Sequence, residues 1–250
     1  MHGFGCQRPD FEEEGASVRR PFYAGSVSAL ENVRALSFDC YGTLIDWDGG
    51  IEAAVASLPS LSGQDPARIC ALRAEAEQEL QRGPYLPYGE VLRQTLRTAA
   101  GEVGCEPTEA ELDRFADSMS SWKPFEDSHT ALRRLADRYR LAIFSNVETR
   151  VLKASVGLLD APFEELVTAE DIESYKPKTK HFEEGLRRLQ LSKDQVVHVA
   201  CSIYHDARPA KALGWKCVWV NRNAEPEPAD VSADWVVPDM RTAAELLLGE

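Results

Sequence analysis

A chain of 250 residues, 44% of them hydrophobic, is long enough for one domain carrying an insertion and has the apolar content to bury a core. A formal net charge of -13, with no lysine and arginine block to offset it, argues against nucleic acid or an anionic membrane as partner, so a small anionic substrate would need a local cation. Six scattered cysteines without a CxxC pair read as reduced thiols of a cytoplasmic protein, and no apolar run approaches the roughly 20 residues that span a bilayer.

Residues 1–30 mix glycine, proline and charge without a period, which places them outside the core as an N-terminal extension whose composition permits disorder. From Val33 the run VRALSFDCYG reads as a buried parallel strand that ends in turn residues and delivers Asp39 at its carboxyl end. The stretch 48–123 shows no strand pattern. Ile69, Leu72, Ala76 and Leu80 recur there at helical spacing, VLRQTLRTAA follows, and Thr108 with Glu111 forms a capping box, so a helical insertion of about four helices is expected.

After Pro124 strand and helix alternate. HTALRRLADRY reads as a helix, RLAIFSN as a strand, ETRVLKASVGL and TKHFEEGLRRLQL as helices and VVHVAC as a strand. A helix around ARPAKALG, the strands CVWVNR and ADWVV, and the terminal helix TAAELLLG complete the series. Strands separated by helices of this length imply an α/β fold with a parallel sheet covered on both faces.

In such sheets, sites form outside the carboxyl ends of the strands. Asp39, Ser145 and Cys201 each fall at a predicted strand end and should converge on one crevice. Taken alone, Asp39 reads as an aspartate capping its own turn, with Thr43 just past Gly42 placed to position the carboxylate. Ser145 and Asn146 offer a hydroxyl, an amide and backbone N–H groups ahead of a helix, which suits an anion and equally suits a plain helix cap. Lys176 sits in a loop immediately before Pro177.

The segments FDCYGTLIDW, IFSN, YKPK and HVACSIYHDARPAKALGWKCVWVNR, in this order and spacing, resemble the haloacid dehalogenase superfamily from about Val33 to the C-terminus. The resemblance implies a Rossmann-like catalytic core, residues 31–47 and 124–250, with a helical cap at 48–123. By position it implies Asp39 as nucleophile, Thr43 and Ser145 as holders of anionic oxygens, and Lys176 as the cation that keeps the nucleophile ionised.

Two positions then separate phosphatases from dehalogenases within the superfamily. A phosphatase carries a second aspartate two residues after the nucleophile, because an alkoxide leaving group must be protonated. Tyr41 stands there, and a phenol with an ordinary pKa of about 10 is a poor acid, whereas a halide leaves without a proton. The earlier acid of the fourth motif is replaced by Cys201, and a thiol does not suit magnesium, although Asp206 remains.

The FDCYGTL form thus resembles the type II 2-haloacid dehalogenases. That implies a hydrolase of carbon–halide bonds that attacks short 2-haloalkanoic acids through an aspartyl ester and releases 2-hydroxy acids, with neither metal nor other cofactor. Asp206 would orient Lys176 or water, Ser145 and Asn146 would receive the substrate carboxylate, and Arg73 of the cap would join them. Arg73 equally fits a solvated helix arginine. Phe182 replaces a tyrosine usual six residues after the lysine, and Ile203 an asparagine near the water. Tyr41, Ser202 and His205 are counted with the substrate-binding residues, and His205 beside Asp206 equally fits a structural hydrogen-bond partner. Three alternatives stay open: a magnesium-dependent phosphatase of small metabolites, a hydrolase of another bond next to a carboxylate, and a non-catalytic binding protein. Relatives of this kind are often dimers, so a homodimer is open as well.

Overall fold

The computed structural model describes residues 30–250, so the expected extension at 1–30 lies outside the described residues save for Leu30. Their contacts divide them into a helical unit, Asp48–Met119, and an α/β unit made of the residues up to Trp47 and of Ser120–Glu250.

The α/β unit is built on a six-stranded, wholly parallel sheet. Strand β1 (Ala35–Phe38) lies inside it with all four residues buried. On one side of it lie β2 (Arg140–Ser145) and then β3 (Phe163–Thr168); on the other lie β4 (Val196–Ala200), β5 (Lys216–Val220) and β6 (Trp235–Val237). The order β3-β2-β1-β4-β5-β6 reverses direction at β1, because the chain runs outward through β2 and β3 before crossing back to β4. A crevice opens at such a switch point beyond the carboxyl ends of the strands, here those of β1 and β4.

β1 and β4 are buried along their whole length and apolar except for Ser37 and His198, as suits strands covered on both faces. The helices that cover them follow from their sequence patterns: α5 (Ser128–Ala136), α6 (Thr149–Leu159), α8 (Lys180–Leu189) and α10 (Met240–Leu248) each bury one apolar stripe. Two short helices, α7 (Ala169–Ile172) and α9 (Arg208–Ala212), complete the series. Phe182 of α8 packs edge-on against Phe144 of β2 and against Trp215, with ring centroids 6.0 and 5.2 Å apart. A Cβ at Gly185 would stand 2.0 Å from the Phe144 ring, so α8 can lie this close to the sheet only with glycine there.

β3 is the strand that the sequence pattern does not announce. Its FEELVT carries two glutamates, and only Val167 and Thr168 are buried, because β3 pairs with β2 alone at the sheet edge. Half-exposed edge positions accept charge, which hides the apolar run.

The helical unit contains α2 (Pro66–Arg82), α3 (Tyr88–Glu102), α4 (Glu109–Ser118) and nearly all of α1 (Trp47–Ala56). Asp65 caps α2 by accepting from Ala67 N–H, with Pro66 in the first turn. Thr108 caps α4 in the expected box: its hydroxyl accepts from Glu111 N–H, and the Glu111 carboxylate accepts from Thr108 N–H at 2.9 Å. The same carboxylate accepts from Ser60 N–H at 2.8 Å, so it ties α4 to the turn after α1.

Candidate active site

The backbone past β1 is shaped before any side chain acts. Asp39 N–H extends the ladder to Val199 O of β4 at 3.1 Å, and then Leu44 N–H and Ile45 N–H both turn back to Cys40 O. Gly42 has φ +87°, and a Cβ on it would stand 2.8 Å from Cys201 Sγ, so the turn requires glycine for its backbone angle and for the approach of the β4 end. Thr43 pins the turn in both directions. Its hydroxyl donates to Asp39 Oδ2 at 2.8 Å and accepts from Cys201 N–H at 2.9 Å.

Lys176 reaches the same place from the loop before α8. The Asn146 side chain clamps the lysine's peptide on both sides, accepting from Lys176 N–H at 2.7 Å and donating to Lys176 O at 3.1 Å. The buried ammonium donates to Asp39 Oδ1 at 2.9 Å, Asp206 Oδ1 at 2.6 Å and Phe144 O at 2.8 Å, which uses all its hydrogens. Burial alone would lower its pKa, but the charges of Asp206 and Asp39 override that and hold it above its ordinary value. Burial alone would likewise raise the Asp206 carboxyl, while Lys176 and the His198 ring hold it well below the usual carboxylate range.

Asp39, Thr43, Lys176 and Asp206, drawn from three separate segments, thus form one bonded cluster. Ser145 is buried at the end of β2, where its carbonyl lies 3.1 Å from His181 Nε2, and its hydroxyl makes no hydrogen bond among the described residues. Burial, with the Lys176 charge adding to it, pushes the His181 ring down to about 3, so His181 is neutral.

The other expected ligands have protein partners of their own. Asn146 was expected to offer its amide to a substrate carboxylate; its oxygen and one amide hydrogen hold the Lys176 peptide, and the second amide hydrogen is left for another acceptor. The Tyr41 hydroxyl is 2.8 Å from Ser155 Oγ on α6, its ring stands edge-on to Trp47 and Trp122, and burial pushes its phenol well above the ordinary value. The Ser202 hydroxyl accepts from His205 N–H at 3.0 Å and lies 3.2 Å from His205 Nδ1, closing the π-helical turn Ile203–Ala207 on itself. Arg73 of α2 is no solvated helix arginine. It is buried and ion-paired with Glu77 one turn on, and Glu77 also accepts from Tyr88 Oη at 2.7 Å.

Sequence reasoning passed over Ser37 and His198. Ser37 Oγ lies 2.9 Å from His198 Nδ1, and His198 Nε2 lies 2.9 Å from Asp206 Oδ1. The available signal was a histidine inside the otherwise apolar strand VVHVA, a position where a polar ring needs partners.

A magnesium ion, as the phosphatase alternative requires, would look to Asp39, Asp206 and Cys201. Of these the thiol does not suit it. The Lys176 ammonium is bonded to an oxygen of each carboxylate, and burial, with the Asp39 charge adding to it, pushes the Cys201 thiol up and keeps it protonated. Among the described residues no group of three or more His, Cys, Asp or Glu side chains is placed to hold a metal ion.

The family model for haloacid dehalogenase-like hydrolases matches residues 33–214. Among known proteins the chain is 26% identical over 227 residues to haloacetate dehalogenase H-2 of Moraxella sp. (strain B), covering 87% of this chain and 99% of that one. It is 25% identical over 227 residues to an (S)-2-haloacid dehalogenase of Pseudomonas sp. (strain YL), covering 87% and 95%. Among solved structures, the L-2-haloacid dehalogenase from Xanthobacter autotrophicus superposes with a TM-score of 0.77 at 21% identity, covering 87% of this chain and 99% of that one.

Proposed function

The chain belongs to the haloacid dehalogenase-like hydrolases, and from that premise we propose that it hydrolyses short 2-haloalkanoic acids, of the haloacetate or 2-halopropionate type, to 2-hydroxy acids. The observation that carries this reading is a carboxylate, Asp39, held by two donors, Thr43 Oγ1 and Lys176 Nζ, with no proton donor two residues on. Tyr41 stands at that position with its hydroxyl committed to Ser155 and its phenol raised by burial, so an alkoxide would find no acid there, and a halide needs none. The haloacetate and (S)-2-haloacid dehalogenases among its relatives support the substrate class.

In the proposed reaction an Asp39 oxygen attacks the carbon bearing the halogen. The new C–O bond forms as the carbon–halogen bond breaks, the carbon inverts, and the halide leaves with the electron pair. Water then attacks the Asp39 carbonyl carbon, the bond from that carbon to the ester oxygen breaks, and the hydroxy acid departs with that oxygen, which Asp39 supplied. Thr43 and Lys176 hold the nucleophile, because both donate and therefore bond its carboxylate form. Asp206 orients Lys176 and the hydrolytic water, and the uncommitted hydroxyl of Ser145 is the polar group offered to the substrate carboxylate.

Halide and hydroxy-acid release from chloroacetate, fluoroacetate and both 2-chloropropionates, with and without a chelator, tests the reading. Release that survives chelation and disappears in Asp39→Asn is expected. Phosphate-ester turnover that requires magnesium, with no halide released, would overturn it. The ester itself is tested by a single turnover in water labelled with heavy oxygen: the first hydroxy acid should be unlabelled, because its new oxygen comes from Asp39.

A further inference from the structure

Between β1 and β4 lies a line of buried polar groups that this chemistry leaves without a task. Ser37 and His198 are register partners across the two strands, and their side chains meet at 2.9 Å. On its other side the His198 ring reaches Asp206 Oδ1 at 2.9 Å, on the oxygen that Lys176 also holds at 2.6 Å. The hydrogen on His198 Nε2 is fixed by this partner, since a carboxylate accepts and does not donate. The ring is wedged, stacked on Phe144 at an interplanar angle of 17° and edge-on to Phe182.

The two oxygens of Asp206 are therefore unequal. Oδ1 takes two donors from different elements, while Oδ2 is buried with no hydrogen-bond partner among the described residues. A buried carboxylate oxygen without a donor is costly, and its retention points to a partner that arrives during turnover. A carboxylate gripped by a single donor can swing about its terminal torsion, which is broad and two-fold. A second donor on the same oxygen fixes the carboxylate plane and hence the direction of the other oxygen.

We infer that His198, braced by Ser37, is a positioning residue for the second half-reaction: it aims Asp206 Oδ2 at the water that attacks the Asp39 ester. This inference rests on the aspartyl-ester reading above. Water oxygen bonds to Asp39 Cγ while one of its protons passes to Asp206 Oδ2; the bond from Cγ to the ester oxygen that Asp39 supplied then breaks, and that oxygen takes the proton back. The second proton of the water is lost from the Asp39 carboxyl to solvent, so both carboxylates return and the hydroxy acid leaves. Attack of Asp39 on the halogen-bearing carbon makes no use of Asp206 Oδ2, so the first half-reaction is spared.

The test follows halide and hydroxy acid separately in rapid-quench experiments with chloroacetate, alongside the intact mass of the protein, in His198→Leu, His198→Gln and Ser37→Ala. In His198→Leu the first equivalent of halide should appear at the wild-type rate, hydroxy-acid release should slow by about a hundredfold as expected for a misaimed reacting group, and the protein should accumulate as its ester. His198→Gln, whose terminal amide can donate to Asp206, should restore most of the hydrolysis, and Ser37→Ala should show a weaker form of the same split. An equal fall in both phases, or unchanged hydrolysis in His198→Leu, overturns the inference. If His198→Leu does not fold, unchanged hydrolysis in Ser37→Ala overturns it instead. Failure of the underlying reading looks different, since the wild-type protein would then show no Asp39-dependent halide release at all.

Discussion

Lys176 shows what a single residue can be asked to do. Its ammonium is buried between two carboxylates and a main-chain oxygen, and removing it would leave Asp39 and Asp206 buried without their counter-charge. Breaking a buried pair by deleting one partner costs about 3–5 kcal/mol, and for a chain of this size that lowers Tm by roughly 10 °C, so Lys176→Met should show such a drop in thermal unfolding together with loss of turnover. Gly42 offers a second test at this scale. Gly42→Ala should destabilise by about 1–2 kcal/mol from its left-handed backbone alone, with a further loss from the contact to Cys201 Sγ. Cys201→Ala in the Gly42→Ala background should recover the contact part and leave the backbone part, which denaturant titration of the two single variants and the double variant would separate. Asp39, Thr43 and Lys176 were legible in the sequence as a motif, because their residue types and spacing belong to one chemistry. The Asn146 clamp and the Ser37–His198 contact were not, since each depends on a partner 30 or 161 residues away that only the sheet brings near.

At the scale of elements, local signals were read well where they are local. The capping box of α4 was legible because both of its halves lie within four residues. Thr108→Ala should cost about 1 kcal/mol, measured by denaturant titration. The box also carries a pH signature. Three hydrogen bonds, from Ser60 N–H, Thr108 N–H and the Thr108 hydroxyl, hold the Glu111 carboxyl at about 2, below its ordinary value of 4.5. A folded-state pKa below the unfolded one gives stability that is fully present above about 4.5 and is lost as pH falls towards 2. Glu111→Gln should therefore flatten the acid limb of the Tm–pH curve between those values and leave its slope at neutral pH unchanged. β3 was illegible for the opposite reason, because its glutamates are tolerated only by an edge that the sequence does not mark.

At the scale of the whole molecule, Arg222 joins segments that the chain keeps far apart. Its guanidinium donates to Thr43 O at 2.8 Å and to both oxygens of Asp127 at 3.1 and 3.0 Å, and it lies 3.8 Å from the Phe125 ring centroid. Asp127 in turn accepts from Met240 N–H at the start of α10 at 2.8 Å. Arg222→Lys keeps the charge but loses the planar fork, so we expect a loss of about 2 kcal/mol in denaturant titration, with a lowered turnover because the Thr43 turn is loosened. The sequence by itself determined the α/β class, the family, and which residue types arrive at the strand ends, because apolar periodicity and motif spacing are properties of neighbouring residues. The strand order, the edge position of β3, the commitment of Asn146 and Tyr41 to other partners, and the Ser37–His198–Asp206 line were decided only by the tertiary structure. The physical reason is that hydrogen-bond partners and burial are set by which strands lie side by side, and residues 37 and 198 become neighbours only when β4 pairs with β1.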